Sequence, residues 1–352
     1  MIARGVGIWG VNQPVGWGFA IINFVWWIGI GHAGTLISAI LLLMRQQWRT
    51  SINRFAEAMT LFAVACAGLF PLIHMGRPWK AYYLFPLPNT LALLPQFRSP
   101  LVWDVFAIST YMSAEQDRGE RAYINRLQTV SAVGLLLYGL TGTFSAIDWA
   151  MSLEPHWFSG IYGLAFIVGQ ILTALAFIVP LLAVLSRHEP LSERVGAGHF
   201  HDLGNLILAF VMLWAYVALS QYLIIWSANL PEETPWILNR TGGGWEVWGA
   251  LLIVFHFALP FVILLQRVTK RRPAFLAWLA GALFVFRLFD LVWLVKPAFS
   301  PGAFEVSLLD LTVPLGIGGT WGYFFVRELK KRPLLPLHDP RFLALPRGVE
   351  HG

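Results

Sequence analysis

Residues 158–186 read FSGIYGLAFIVGQILTALAFIVPLLAVLS, a stretch without Asp, Glu, Lys, Arg or His. About 20 such residues, rising about 1.5 Å each, cross a hydrocarbon core of about 30 Å. Backbone in lipid must satisfy its own hydrogen bonds, so the stretch predicts a membrane-spanning helix. The same character recurs at 17–44, 55–73, 127–150, 205–229, 244–266, 273–295 and 306–326. One further run, 99–114, is short: about 16 residues reach only roughly 24 Å. It stops at the charged stretch Glu115 to Arg121.

Composition agrees. The 352 residues are 57% hydrophobic and 12% charged, with a mean hydropathy of +0.62. A soluble domain carries about 25% charged residues. The sequence therefore predicts an all-α, polytopic transmembrane bundle of eight full spans and one short span. The net charge of +6 sits in short loops between apolar runs, which points to topology and not to nucleic acid. The N-terminus lacks the pattern of a cleaved signal peptide. The single cysteine, Cys66, excludes an internal disulfide or thiolate metal centre and reads as a core residue.

Basic residues set the orientation. Arg45, Arg49 and Arg54; Arg118, Arg121 and Arg126; Arg187 and Arg194; Arg267 to Arg272; and Arg327 to Arg332 all fall on one side if the short run crosses. That side is the cytoplasm. Loop 74–98 is the basic exception outside. The expectation is nine crossings, N-terminus outside and C-terminus cytoplasmic. Four parts follow: residues 1–114, three spans with the third short; 115–126, a cytoplasmic junction; 127–326, a six-span bundle; and 327–352, a Pro-rich cytoplasmic tail. Trp48, Trp79, Trp149, Trp157, Trp236 and Trp245 fall near span ends, as an interfacial belt would have them.

Charge within a bilayer is costly and marks working sites. His32, His74, Arg77, Asp104, Asp148, Glu154, His256, Arg287, Asp290 and Asp310 lie in or beside the spans, mostly toward the outer face. Thr141, Ser145 and Asp148 share one helix face. They make a hydroxyl ladder ending in a carboxylate, or hydroxyls bonded back to their own helix. Arg287 and Asp290, three apart, form a self-neutralised pair or a proton-transfer pair. His32, among glycines that permit close approach, and His256 are each a quinone-facing base or a satisfied core histidine. His199, His201 and Asp202 read as a solvated cytoplasmic loop and not as a metal site. No nucleotide-binding glycine motif or serine-nucleophile elbow is present.

The segments VGWGFA (15–20), GIGHAGTLISA (29–39), NRFAEAM (53–59), HMGRPW (74–79) and FRSPLVWD (97–104) resemble an NrfD-like, polysulfide reductase type membrane subunit. The nearest resemblance is to the first quinone-binding membrane subunit of alternative complex III, a quinol:cytochrome c oxidoreductase. From about residue 127, IDWAMSLEPHW (147–157), HDLGN (201–205), IIWS (224–227), NLPEE (229–233) and FHFALP (255–260) resemble the second, paralogous subunit of that complex. The chain thus looks like the head of one subunit joined to the tail of the other, with the join near 112–126.

The resemblance implies a quinol or menaquinol substrate and no cofactor held by this chain itself. It implies iron–sulfur/molybdopterin-like, c-type cytochrome and homologous membrane subunits as partners, in a bacterial inner membrane. His32 and Asp104 are implied as catalytic, with His74 and Arg77 beside the quinol. Thr141, Ser145, Asp148, Glu154, His256, Arg287 and Asp290 are implied in proton conduction. The competing classes are a b-haem anchor, with axial ligands from His32, His74 and His256, and a proton or solute transporter, which would favour repeated halves that this sequence lacks.

Overall fold

The computed structural model describes residues 20–43, 121–189, 191–193, 195–299, 304 and 308–330, with positions 59, 63, 66, 69 and 70. Every regular element among them is helical. α1 is Ala20–Leu43, α2 Arg121–Trp149, α3 Tyr162–Leu185, α4 Ala197–Ala228 and α5 the short Thr234–Leu238. A continuous run follows: α6 Trp245–Leu252, a π-helical turn Ile253–Ala258, and α7 Leu259–Leu265. One turn, α8 (Arg267–Lys270), leads to α9 (Pro273–Val295), and α10 is Leu308–Leu329.

Four helical stretches are long and apolar enough to cross a membrane: Tyr162–Leu185, Ala197–Ala228, Trp245–Leu265 and Pro273–Ala298. Large apolar side chains stand exposed along them, Tyr216, Leu219, Trp226, Val262 and Trp278 included. In water such a surface would drive association; in lipid it is the ordinary outside of a bundle. The chain is a multi-pass helical membrane protein. The count of eight full and one short span extends over residues outside the described set.

Helix ends follow local chemistry. α4 starts behind Gly196, whose N–H donates to the His199 ring at 3.2 Å. It stops at Asn229 in the left-handed region, φ 48°, a conformation Asn tolerates, and Pro231 follows. Pro273 opens α9, where a missing N–H costs nothing. Pro180 inside α3 is tolerated as in many membrane helices.

α3 is the axis. It packs against α9, α4, α1 and α2, and 72% of its most apolar window is buried, against 22% for Trp245–Leu265. α1 is enclosed too: Ile21, Ile22, Phe24 and Ile28 are essentially inaccessible. Trp26 of α1 meets Phe284 of α9 at 4.6 Å, and Trp27 meets Trp321 of α10 at 5.6 Å.

Several boundaries differ from the expectation. α2 begins at Arg121, not 127, and α4 at Ala197, not 205. Both added segments, RAYINR and AGHFHDLG, mix charged, His and Gly residues into the helix start, so a hydropathy threshold places that start too late. His199 and His201 therefore sit in the first turns of α4 and not in a loop. The Trp belt also needs correction. Trp149, Trp157, Trp236 and Trp245 do lie at helix ends but are buried against neighbouring rings, while among the described residues Trp226 and Trp278 are exposed indoles. Trp48 and Trp79 lie outside the described residues.

Candidate functional site

α9 carries Arg287 and Asp290 one turn apart, each 2% exposed, and they form an ion pair. Arg287 Nε also donates to the Gly169 carbonyl of α3 at 3.1 Å. Gly169 is required by this approach, since a Cβ there would land on the guanidinium. The Trp214 indole of α4 donates to Asp290 Oδ2 at 3.1 Å. Oδ2 thus meets both the Trp214 indole and the Arg287 guanidinium.

His256 lies behind Trp214. Its ring packs edge-on against the indole, with centroids 4.5 Å apart, and it is 0% exposed. Neither ring nitrogen has a hydrogen-bond partner. It sits within the π turn 253–258, an irregularity frequent at functional sites.

A cavity of about 840 Å³ opens beside this cluster, lined by residues of α4, α5, α6, the π turn, α7 and α9. Its walls are almost wholly apolar, with Met212, Leu219, Ile253, Phe257, Phe261 and Trp293 among them. Asp290, Trp214, Gln221 and Arg240 supply the polar groups that matter here. Ile253 and Phe257 face the cavity while His256, between them, does not line it.

Arg240 closes one end. It is 1% exposed and donates to Glu154 Oε2 at 3.1 Å, to the Trp236 carbonyl at 2.7 Å and to the Leu294 carbonyl at 2.6 Å. Its guanidinium lies 4.0 Å over the Trp236 ring, which stacks on Trp157 at 4.4 Å. Arg240 therefore clamps the α2–α3 connection, α5 and the end of α9. Burial pushes the Glu154 carboxyl above its ordinary range, and the Arg240 charge and hydrogen bond pull it partly back. Burial likewise lowers Arg240, with Glu154 opposing. Lys296 and Asp310 form a further ion pair at this end of the bundle.

The structure brings Arg287, Asp290 and His256 together and sets Glu154 at the cavity end through Arg240. Thr141, Ser145 and Asp148 are not among the cavity residues. Thr141 and Asp148 are exposed on α2, and Thr141 bonds back to the Tyr138 carbonyl at 3.5 Å. His32 lies on α1, its side chain outside the described set, as are His74, Arg77 and Asp104. Sequence reading did not select Trp214, Gly169, Gln221 or Arg240. An indole at mid-span and the Gly169-Gln170 pair within an apolar helix were the available signals for the first two.

Comparison with known proteins adds a lineage. Residues 8–114 match the family described as Polysulphide reductase, NrfD. The cavity lies beyond that segment. A Halobacterium salinarum protein, provisionally named as a dimethyl sulfoxide reductase membrane subunit, is 26% identical over 122 residues, covering 32% of this chain and 26% of that protein. A subunit of the selenate reductase of Mesobacillus selenatarsenatis is 19% identical over 356 aligned positions, covering 86% of this chain and 79% of its own length. The chain thus spans about a quarter of the first relative and about four fifths of the second. The N-terminal third matches the NrfD family model, and most of the chain is similar to a reductase subunit.

Proposed function

We propose that the chain is the quinol-binding, proton-handling membrane subunit of a respiratory oxidoreductase. Electrons from the quinol pass to an iron–sulfur or molybdopterin-type subunit outside the bilayer. One observation carries this reading: an apolar cavity that opens toward the lipid-facing surface of the bundle and has the buried Asp290 carboxylate in its wall. A quinol is a flat apolar ring with hydroxyl donors, and it needs such a slot and such an acceptor. Oxidation releases electrons and protons together, so the site must hold a proton acceptor within reach of the hydroxyl. Asp290 is that acceptor. Arg287 keeps its charged form tolerable in the interior, because an unpaired buried carboxylate would otherwise neutralise itself.

The relatives support the reading, one being named for a dimethyl sulfoxide reductase membrane subunit and the other for a selenate reductase subunit. The finer assignment, to an alternative complex III with c-type cytochrome partners, rests on the two sets of subunit-like motifs on either side of residues 112–126. A bacterial inner-membrane setting rests on the same resemblance, and the placing of the Glu154 end outside rests on the basic loops. His32, Asp104, His74 and Arg77 are proposed as a quinol-side group within the NrfD-matched segment.

The test is binding of a hydroxynaphthoquinone analogue to the full chain in lipid nanodiscs. Asp290→Asn should weaken it by roughly tenfold or more, the value of a hydrogen bond to a charged acceptor. Unchanged affinity in Asp290→Asn would overturn the cavity assignment. The same assay on His32→Ala separates an N-terminal site from this one.

A further inference from the structure

Trp214 stands at a junction that the proposed reaction does not explain. Among the described residues it alone lines the cavity, hydrogen-bonds Asp290 and packs on His256. Its N–H takes Asp290 Oδ2, the same oxygen that Arg287 engages. Two donors on one oxygen, arriving from α4 and from α9 itself, fix the rotation of the carboxylate. The carboxylate so held borders the cavity.

The indole ring does a second thing. His256 is fully buried, with both nitrogens unpartnered. Buried polar atoms without partners are rare and each costs free energy, so a reason is expected. The π turn supplies part of it. His256 lies within that turn, does not line the cavity as Ile253 and Phe257 do, and packs on Trp214 instead. The indole is the wall that His256 shares with the cavity.

Resting on the quinol reading of this cavity, we propose that Trp214 is a positioning residue that holds the Asp290 carboxylate toward a hydroxyl-bearing ligand, and that its ring is the partition keeping His256 out of the cavity. The ligand class that benefits is one with a hydrogen-bond donor on an aromatic head, a quinol or a hydroxyquinone. An O-methylated head cannot donate to that carboxylate. Removing the N–H while keeping a ring loosens the carboxylate but leaves the partition. Removing the ring opens a path to His256.

The experiment uses the full chain in lipid nanodiscs and two probes, a hydroxynaphthoquinone and its O-methyl ether. Trp214→Phe is expected to weaken the hydroxy compound by about tenfold, the order of one charge-assisted hydrogen bond, and to leave the ether unchanged. Trp214→His, which restores a ring N–H, recovers part of the loss. A merely structural role for Trp214 would weaken both probes alike. In parallel, carbethoxylation of His256 by diethyl pyrocarbonate is read by mass spectrometry. It is expected to be absent in the native chain and in Trp214→Phe, and present in Trp214→Ala.

Equal affinity of Trp214→Phe and native chain for the hydroxy probe would overturn the positioning role. Modification of His256 in the native chain would overturn the partition. If Asp290→Asn weakens the hydroxy probe while Trp214→Phe does not, the quinol reading stands and this inference alone fails. If neither variant changes binding, the quinol reading of the cavity fails with it.

Discussion

The Arg287 guanidinium occupies the volume that a side chain at Gly169 would fill, and its Nε meets the Gly169 carbonyl at 3.1 Å. This contact joins α3, the axis of the bundle, to α9, which carries the buried carboxylate. Gly169→Ala should therefore push Arg287 out of its ion pair and not merely crowd a flexible chain. We expect a loss of about 3 kcal/mol, the range for breaking a buried pair, read as a lower melting temperature in detergent. The penalty should shrink when Arg287 and Asp290 are both already replaced by Leu, because the sites then no longer couple. An equal penalty in both backgrounds contradicts the account.

Asp290 and Arg287 should behave as a unit. Arg287→Leu alone strands a buried carboxylate and should cost roughly 3–5 kcal/mol. The double change to Leu at both positions should be less destabilising than that single change, since no charge remains to be buried. Thermal denaturation of Arg287→Leu, Asp290→Leu and the double variant measures this directly. A double variant worse than the sum of the singles would point to a structural role beyond charge balance.

His256 offers the opposite expectation. Both of its ring nitrogens lack partners, so His256→Phe removes a desolvation cost and keeps an aromatic edge against Trp214. Stability should be unchanged or raised. A drop in melting temperature of several degrees would show that His256 makes a bond in the membrane, for example to a buried water.

The Glu154–Arg240 clamp predicts a pH dependence. Burial raises the Glu154 carboxyl above its unfolded value, so the folded chain binds that proton more tightly than the unfolded chain does. Linkage then gives a stability contribution that is full below the unfolded value and lost as pH rises through the folded one. Glu154→Gln should flatten stability across the weakly acidic range, measured as melting temperature against pH. Arg240→Ala should cost more than Glu154→Gln, because it also strands the Trp236 and Leu294 carbonyls.

Much of the fold was legible because hydropathy and helix length are local. The stretch at 158–186 yields α3, and 273–295 coincides with α9, because a bilayer demands about 20 apolar residues whatever the neighbours are. Arg287 and Asp290 were readable as a pair because their spacing is a helix property. Trp214 and Arg240 were not, since their partners lie 76 and 86 residues away and are set by packing. The π turn that contains His256 left no trace in the sequence pattern. The ladder of Thr141, Ser145 and Asp148 shares one helix face as read, but that face turns outward from the cavity.

The account centres on a headgroup site between α4, the π turn and α9. A photoactivatable azidoquinone, cross-linked to the full chain in nanodiscs and mapped by mass spectrometry, tests it most directly. The account predicts labelling within 212–222 and 246–261, suppressed by excess hydroxynaphthoquinone and weakened in Asp290→Asn. Labelling confined to α1 and residues 74–104, or spread over the lipid-facing side chains of α4 without competition, would contradict it.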